Sequence, residues 1–217
     1  MTKDVKRVSY NTSNSYETMF ENNNTTKSIW LVFHGIGYLS KYFLKYFENL
    51  NPLENYVIAP QAPSKYYLKN EYKYVGASWL TKIDTKDELQ NNFAYLDAVV
   101  ENEGIINSKN LVLFGFSQGV SILTRWMAMR QIQPKNIILY AGGIPNELTK
   151  ENFEYLNFED TKVTFIYGNS DFFLTEKRLE TEKKKIESLF QNKAEILSFE
   201  GGHEMKPNLI AELVSNK

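Results

Sequence analysis

The sequence contains no cysteine. That absence excludes disulfides, a thiolate nucleophile and cysteine metal ligands together. Histidine is nearly as scarce: His34 and His203 are the whole supply of imidazole. Chemistry that needs a base titrating near neutrality therefore has two candidates. An excess of one charge sign is also missing. Lys and Arg number 25 against 26 Asp and Glu, a formal net charge of -1 over 217 residues. Such a balance gives no general pull toward nucleic acid or an anionic membrane. No apolar run approaches the ~18 residues of a membrane span, and the first residues, Met1-Thr-Lys-Asp-Val-Lys-Arg7, lack the apolar stretch of a signal peptide. Neither histidine lies in an H-x-x-x-H or H-E-x-x-H pattern, and no P-loop or G-x-G-x-x-G occurs. The expectation is a cytoplasmic protein with no integral membrane association, no nucleic-acid partner, no metal and no cofactor.

What is present is a series of short apolar runs. Residues 29–33, 56–60, 111–114, 137–140, 163–167 and 194–199 read as strands. Helical spacing occupies the intervals at about 42–50, 89–100, 118–133 and 175–190, with a short terminal helix near 209–214. Short strands are also expected at 4–10 and 15–20. Wholly apolar strands alternating with helices indicate an α/β fold, a mostly parallel sheet covered on both faces. No repeat, low-complexity segment or flexible linker divides residues 1–217, so a single domain is expected. The stretch 61–86 shows no period and is crowded with Tyr66, Tyr67, Tyr72, Tyr74 and Trp79. A loop of that length is usually functional or a misread element.

Four polar residues fall just past predicted strand ends: His34, Ser117, Asp171 and His203. In open parallel sheets, ligands bind beyond those carboxyl ends. Ser117 sits in Gly115-Phe-Ser-Gln-Gly119 between a strand and a helix. On that tight turn its hydroxyl projects outward, and the N–H of Gln118 faces a developing oxyanion. A base and an acid should follow in the order Ser, acid, His. His203, after Gly201-Gly202, fits the order, and His34 does not. Asp171, in Gly168-Asn-Ser-Asp171, lies where it can accept from the imidazole N–H. Its plainer role would be an Asx-turn or a helix cap. Asp160 is the second choice for the acid, but it precedes its strand. The second oxyanion donor is expected from His34-Gly-Ile-Gly37, with Ile36 N–H as the donor. Trp79 is a candidate wall of the substrate site, although core packing is its commoner role.

His34-Gly-Ile-Gly37, Gly115-Phe-Ser-Gln-Gly119, Gly168-Asn-Ser-Asp171 and Gly201-Gly-His203 resemble the carboxylesterase and acyl-protein thioesterase branch of the α/β-hydrolases. The resemblance spans about residues 28–214. It implies an α/β-hydrolase fold with little or no cap domain, Ser117, Asp171 and His203 as the triad, and Ile36 and Gln118 as oxyanion donors. Where acyl-protein thioesterases usually carry an acidic residue after H-G-x-G, this sequence has Tyr38. The implied activity is a serine hydrolase cleaving small to medium carboxylic esters or thioesters. An acyl-protein thioesterase or lysophospholipase-like lipid hydrolase, and a non-catalytic binding protein of the same fold, are the alternatives.

Overall fold

The computed structural model describes residues 4–69 and 71–215. Its centre is a seven-stranded sheet: β1 (Tyr16–Met19), β2 (Ser28–Phe33), β3 (Asn55–Pro60), β6 (Leu111–Phe116), β7 (Asn136–Tyr140), β8 (Lys162–Gly168) and β9 (Ala194–Phe199). The spatial order is β1-β3-β2-β6-β7-β8-β9. All neighbours pair in parallel except β1, which runs antiparallel to β3. A separate hairpin joins β4 (Ser64–Leu68) to β5 (Tyr74–Ser78).

The middle of the sheet is covered on both sides: β2, β3, β6 and β7 are buried at every position, not at alternate ones. Along β2, Ile29, Leu31 and Phe33 enter one core, while Trp30 and Val32 enter the other. The first core is closed by α2 (Thr85–Asn102), α3 (Gln118–Arg130) and α4 (Glu176–Leu189) through Phe93, Leu96, Trp126, Met127, Ile186 and Leu189. The second is closed by α1 (Ser40–Phe43), the 3-10 turn that continues it, and α5 (Pro207–Ser215) through Phe43, Phe47 and Ile210. At about 25 cal/mol per Å² of apolar surface, these two cores are the main source of stability.

Chain progression reverses between β2 and β6. From β2 the order continues outward to β3, and from β6 it continues the other way to β9. The carboxyl ends of β2 and β6 therefore flank the switch point where such sheets hold ligands.

Three expectations change. The candidate strand at 4–10 does not form; Val5 and Val8 stand 83% and 87% exposed, with no sheet edge to cover them. The helix expected over 42–50 is a single α turn followed by a 3-10 turn at Leu44–Phe47. The stretch 61–86 is not a loop, since most of it is the β4–β5 hairpin. β4 is exposed over most of its length and β5 is buried only at the consecutive Gly76, Ala77 and Ser78, so neither strand carries the period-2 apolar signal. The strand expected at 15–20 does form as β1, and its antiparallel pairing at one edge leaves the sheet mostly parallel.

Candidate active site

Ser117 joins β6 to α3 with φ 52° and ψ -116°, a backbone region that ordinary residues avoid. Two contacts hold it there. Its N–H donates to the carbonyl of Tyr140 at 2.9 Å, tying the turn to the end of β7. Gly119 lies so close to β2 that any Cβ would collide with the Phe33 carbonyl. α3 thus starts against the sheet, and Ser117 is lifted from the strand end as the serine-glycine spacing predicts.

His203 arrives from the loop after β9. Its Nε2 is 2.9 Å from Ser117 Oγ, and its Nδ1 is 2.6 Å from Asp171 Oδ2. Because Asp171 Oδ2 accepts the Nδ1 proton, Nε2 is left as the acceptor for the serine hydroxyl. The ring lies between Phe116 at 5.1 Å and Phe173 at 4.8 Å, centroid to centroid. Those contacts fix the imidazole plane without using either nitrogen.

Asp171 comes from the loop after β8 and is buried. Its Oδ1 accepts the Phe173 N–H at 2.9 Å. Its two oxygens serve different contacts: Oδ1 closes the Asx-turn, and Oδ2 meets the His203 ring. It is not a helix cap, since α4 begins after Thr175. Asp160 lies at the opposite end of β8, in a turn where it accepts from Asn157 at 2.7 Å. The length of β8 keeps it roughly 20 Å from the serine edge.

The His34–Gly37 loop sits beside Ser117. A Cβ on Gly35 would be 3.2 Å from Ser117 Cβ and 3.0 Å from the Phe116 ring. His34 is fully buried. Its Nε2 accepts the Ala62 N–H at 3.1 Å, so the proton is on Nδ1, which donates to the Gly35 carbonyl at 2.8 Å. Burial disfavours its charged form and lowers its pKa to about 4. The Gly35 carbonyl also accepts the Tyr38 N–H at 3.2 Å. A trans peptide points its C=O and N–H in opposite directions. With the Gly35 oxygen held from two sides, the Ile36 N–H is aimed away from that grip. Neither a backbone nor a side-chain acceptor meets the Ile36 N–H among the described residues. Gln118 N–H opens α3, where no intrahelical acceptor exists. Two N–H groups at this edge are therefore free to meet a ligand oxygen.

Of the two roles weighed for Trp79, burial corrects the substrate wall and favours core packing. It is 0% exposed, packed on Phe33 and His34, and its Nε1 donates to the His34 carbonyl at 2.8 Å. It supports the loop from beneath. The exposed rim is instead apolar and built from Ile36 at 54%, Phe172 at 74%, Phe173 at 49% and Tyr66 at 40% exposure. Sequence reasoning missed Phe173, although its place two residues after Asp171 was a usable signal. It also missed the side chain of Gln118. Among the described residues no group of three or more His, Cys, Asp and Glu could hold a metal ion, and no helix is long and apolar enough to cross a membrane.

A mostly parallel sheet with its serine turn at the switch point defines an α/β-hydrolase. Within that class the chain belongs to the phospholipase/carboxylesterase family, which matches residues 14–215. No curated protein matches it in sequence. Among solved structures it is similar to acyl-protein thioesterase 2 of Zea mays, with 15% identity, 93% of this chain and 96% of that one covered, and TM-score 0.69. It is also similar to a phospholipase/carboxylesterase from Dyadobacter fermentans, with 20% identity, 95% and 99% coverage and TM-score 0.67. The Bacillus cereus carboxylesterase gives 16%, 92% and 91% coverage, and TM-score 0.63. At these identities the likeness is one of fold.

Proposed function

We propose that the protein is a serine esterase that cleaves small to medium carboxylic esters or thioesters through an acyl-enzyme. The observation that carries the reading is the continuous hydrogen-bond path from Ser117 Oγ through His203 to Asp171. His203 Nε2 takes the Ser117 proton as Oγ attacks the acyl carbon. Asp171 holds the imidazole in the Nδ1–H form and stabilises the imidazolium that results. The N–H groups of Ile36 and Gln118 receive the oxyanion. A single such donor is worth on the order of 10² to 10³ in rate. The imidazolium then gives its proton to the departing alcohol or thiol. Water enters, His203 removes its proton, and the hydroxide attacks the acyl-Ser117 carbonyl; the acyl–Oγ bond then breaks, the imidazolium returns its proton to Ser117 Oγ, and the acid is released.

The exposed apolar rim favours a second reading within the same chemistry, a lipid or acyl-protein thioester as substrate. Ile36, Phe172 and Phe173 supply surface suited to an acyl chain and no charge that would favour a polar one. A series of p-nitrophenyl esters of increasing chain length separates the two. A kcat/KM that peaks at two to four carbons supports the small-ester reading, and a steady rise to long chains supports the lipid reading. Labelling by a fluorophosphonate that disappears in Ser117→Ala tests the enzyme claim itself. Absence of labelling in the folded wild-type chain leaves a non-catalytic binding protein as the reading.

A further inference from the structure

We infer that the Gln118 side chain and the end of β5 form a strut that sets the spacing of the two oxyanion donors. Gln118 is then a positioning residue through its carboxamide, apart from what its backbone N–H does. The inference rests on the reading of Ser117 as nucleophile with Ile36 and Gln118 N–H as donors.

Those donors belong to segments far apart in sequence, and β5 runs between them. At one end, Gly37 N–H donates to the Ala77 carbonyl at 2.8 Å, and Ala77 N–H donates to the Tyr38 carbonyl at 3.2 Å. The two backbones touch without an intervening side chain, since a Cβ on Gly76 would lie 2.5 Å from the Gly37 oxygen and 2.7 Å from its Cα. At the other end, the carboxamide of Gln118 grips the backbone just past β5 with both its oxygen and its nitrogen. Its Oε1 accepts the Trp79 N–H at 2.9 Å, and its Nε2 donates to the Leu80 carbonyl at 2.8 Å. Nε2 also donates to Ser78 Oγ at 3.0 Å, while that hydroxyl donates to the Leu80 carbonyl at 2.9 Å. The Trp79 indole N–H on the His34 carbonyl is a third tie, directly to the residue before the donor loop.

Two residues of extended chain, Ala77 to Trp79, thus connect the anchor of one donor to the anchor of the other, a span of about 7 Å. An oxyanion donor needs only a backbone N–H, which any residue except proline supplies. The contacts of the Gln118 side chain have no part in holding an acyl group or moving a proton. Their effect is to keep the start of α3 and the Gly35–Tyr38 loop at one separation. Preorganised donors stabilise a transition state only while that separation matches the oxyanion.

The test is Gln118→Met, which keeps chain length and the backbone N–H but removes every carboxamide bond. Active sites are counted by end-point fluorophosphonate labelling, and kinetics are expressed per labelled site. The strut predicts that kcat on p-nitrophenyl butyrate falls about 10- to 100-fold with KM within about 2-fold, because a misplaced donor costs less than an absent one. Affinity for an alkyl trifluoromethyl ketone, which presents an oxyanion on Ser117, should fall by the same factor as kcat/KM. Gly76→Ala disturbs the other end and should show the same split; it decides the matter alone if Gln118→Met does not fold. A fully labelled variant whose kcat stays within about 2-fold of wild type, or whose whole loss lies in KM, overturns the strut. Ser117→Ala is the control for the underlying reading. If it retains turnover, that reading fails; if it is dead while Gln118→Met keeps full kcat, only the strut fails.

Discussion

The two histidines stand at the same edge of the sheet, each just past a strand, yet their surroundings give them opposite capacities. His34 is sealed, with both ring nitrogens committed to backbone groups and its pKa lowered to about 4 by burial. His203 keeps 17% of its side chain exposed and turns its nitrogens to a carboxylate and a hydroxyl. An imidazole serves as a base only where one nitrogen is anchored by an acceptor and the other faces a transferable proton. Where both nitrogens meet peptide groups, the same ring becomes a pin for the chain. The pin is adjacent to the proposed chemistry, because the peptide it holds carries the Ile36 N–H.

That contrast can be broken most forcefully at His203. His203→Ala should lower kcat on a p-nitrophenyl ester by on the order of 10⁴ or more while thermal unfolding stays close to wild type. A larger loss per folded molecule in His34→Ala would reverse the two assignments. Next in size is the acid. Asp171→Asn leaves the wrong tautomer available and should cost about 10⁴ in kcat, whereas Asp160→Asn, exposed at the far edge, should leave turnover unchanged. Equal effects in the two variants would reject Asp171.

His34→Asn sharpens the comparison from the other side. It removes one or both bonds to Gly35 and Ala62 from a buried site and should cost about 2 to 4 kcal/mol in denaturant unfolding. Its kcat should fall roughly 10-fold at most, because His203 is untouched and only one oxyanion donor is loosened. A kcat loss as deep as that of His203→Ala would mean that His34 takes part in proton transfer.

The last effect is in pH dependence, which acts on stability and leaves the proposed base untouched. Unfolded, His34 takes up a proton near 6.5; folded, it does so only near 4. Between those values the unfolded chain binds more protons, so its contribution to stability is full above about 6.5 and is lost as pH falls toward 4, for a total of about 3 kcal/mol. Thermal unfolding followed across this range should show that slope, and His34→Asn should flatten it. An unchanged slope in the variant would assign the acid sensitivity to other groups.

The parallel core was legible because its strands are short, mostly apolar and separated by helical periods. The candidate site was legible for a related reason, since each strand's end is marked by glycine and a polar residue, as at Gly168 to Asp171. What escaped had no local signature. The β4–β5 hairpin is exposed on both faces for much of its length, so burial imposes no alternation on Tyr66, Tyr67 or Tyr74. Trp79 reads from sequence as either core or site wall, because the His34 carbonyl and the Phe33 ring that enclose it are distant in the chain. The partners of the Gln118 carboxamide are likewise remote. Periodicity reports which face is buried, and it is silent about a side chain whose hydrogen bonds lie on another segment.

The most direct test of the Ser117–His203–Asp171 path is mass spectrometry of the enzyme quenched during p-nitrophenyl acetate turnover. An acetyl group on the peptide containing Ser117, accumulating in wild type and absent in His203→Ala, is the predicted result. Turnover with no acyl adduct, or with the adduct on another residue, would contradict it.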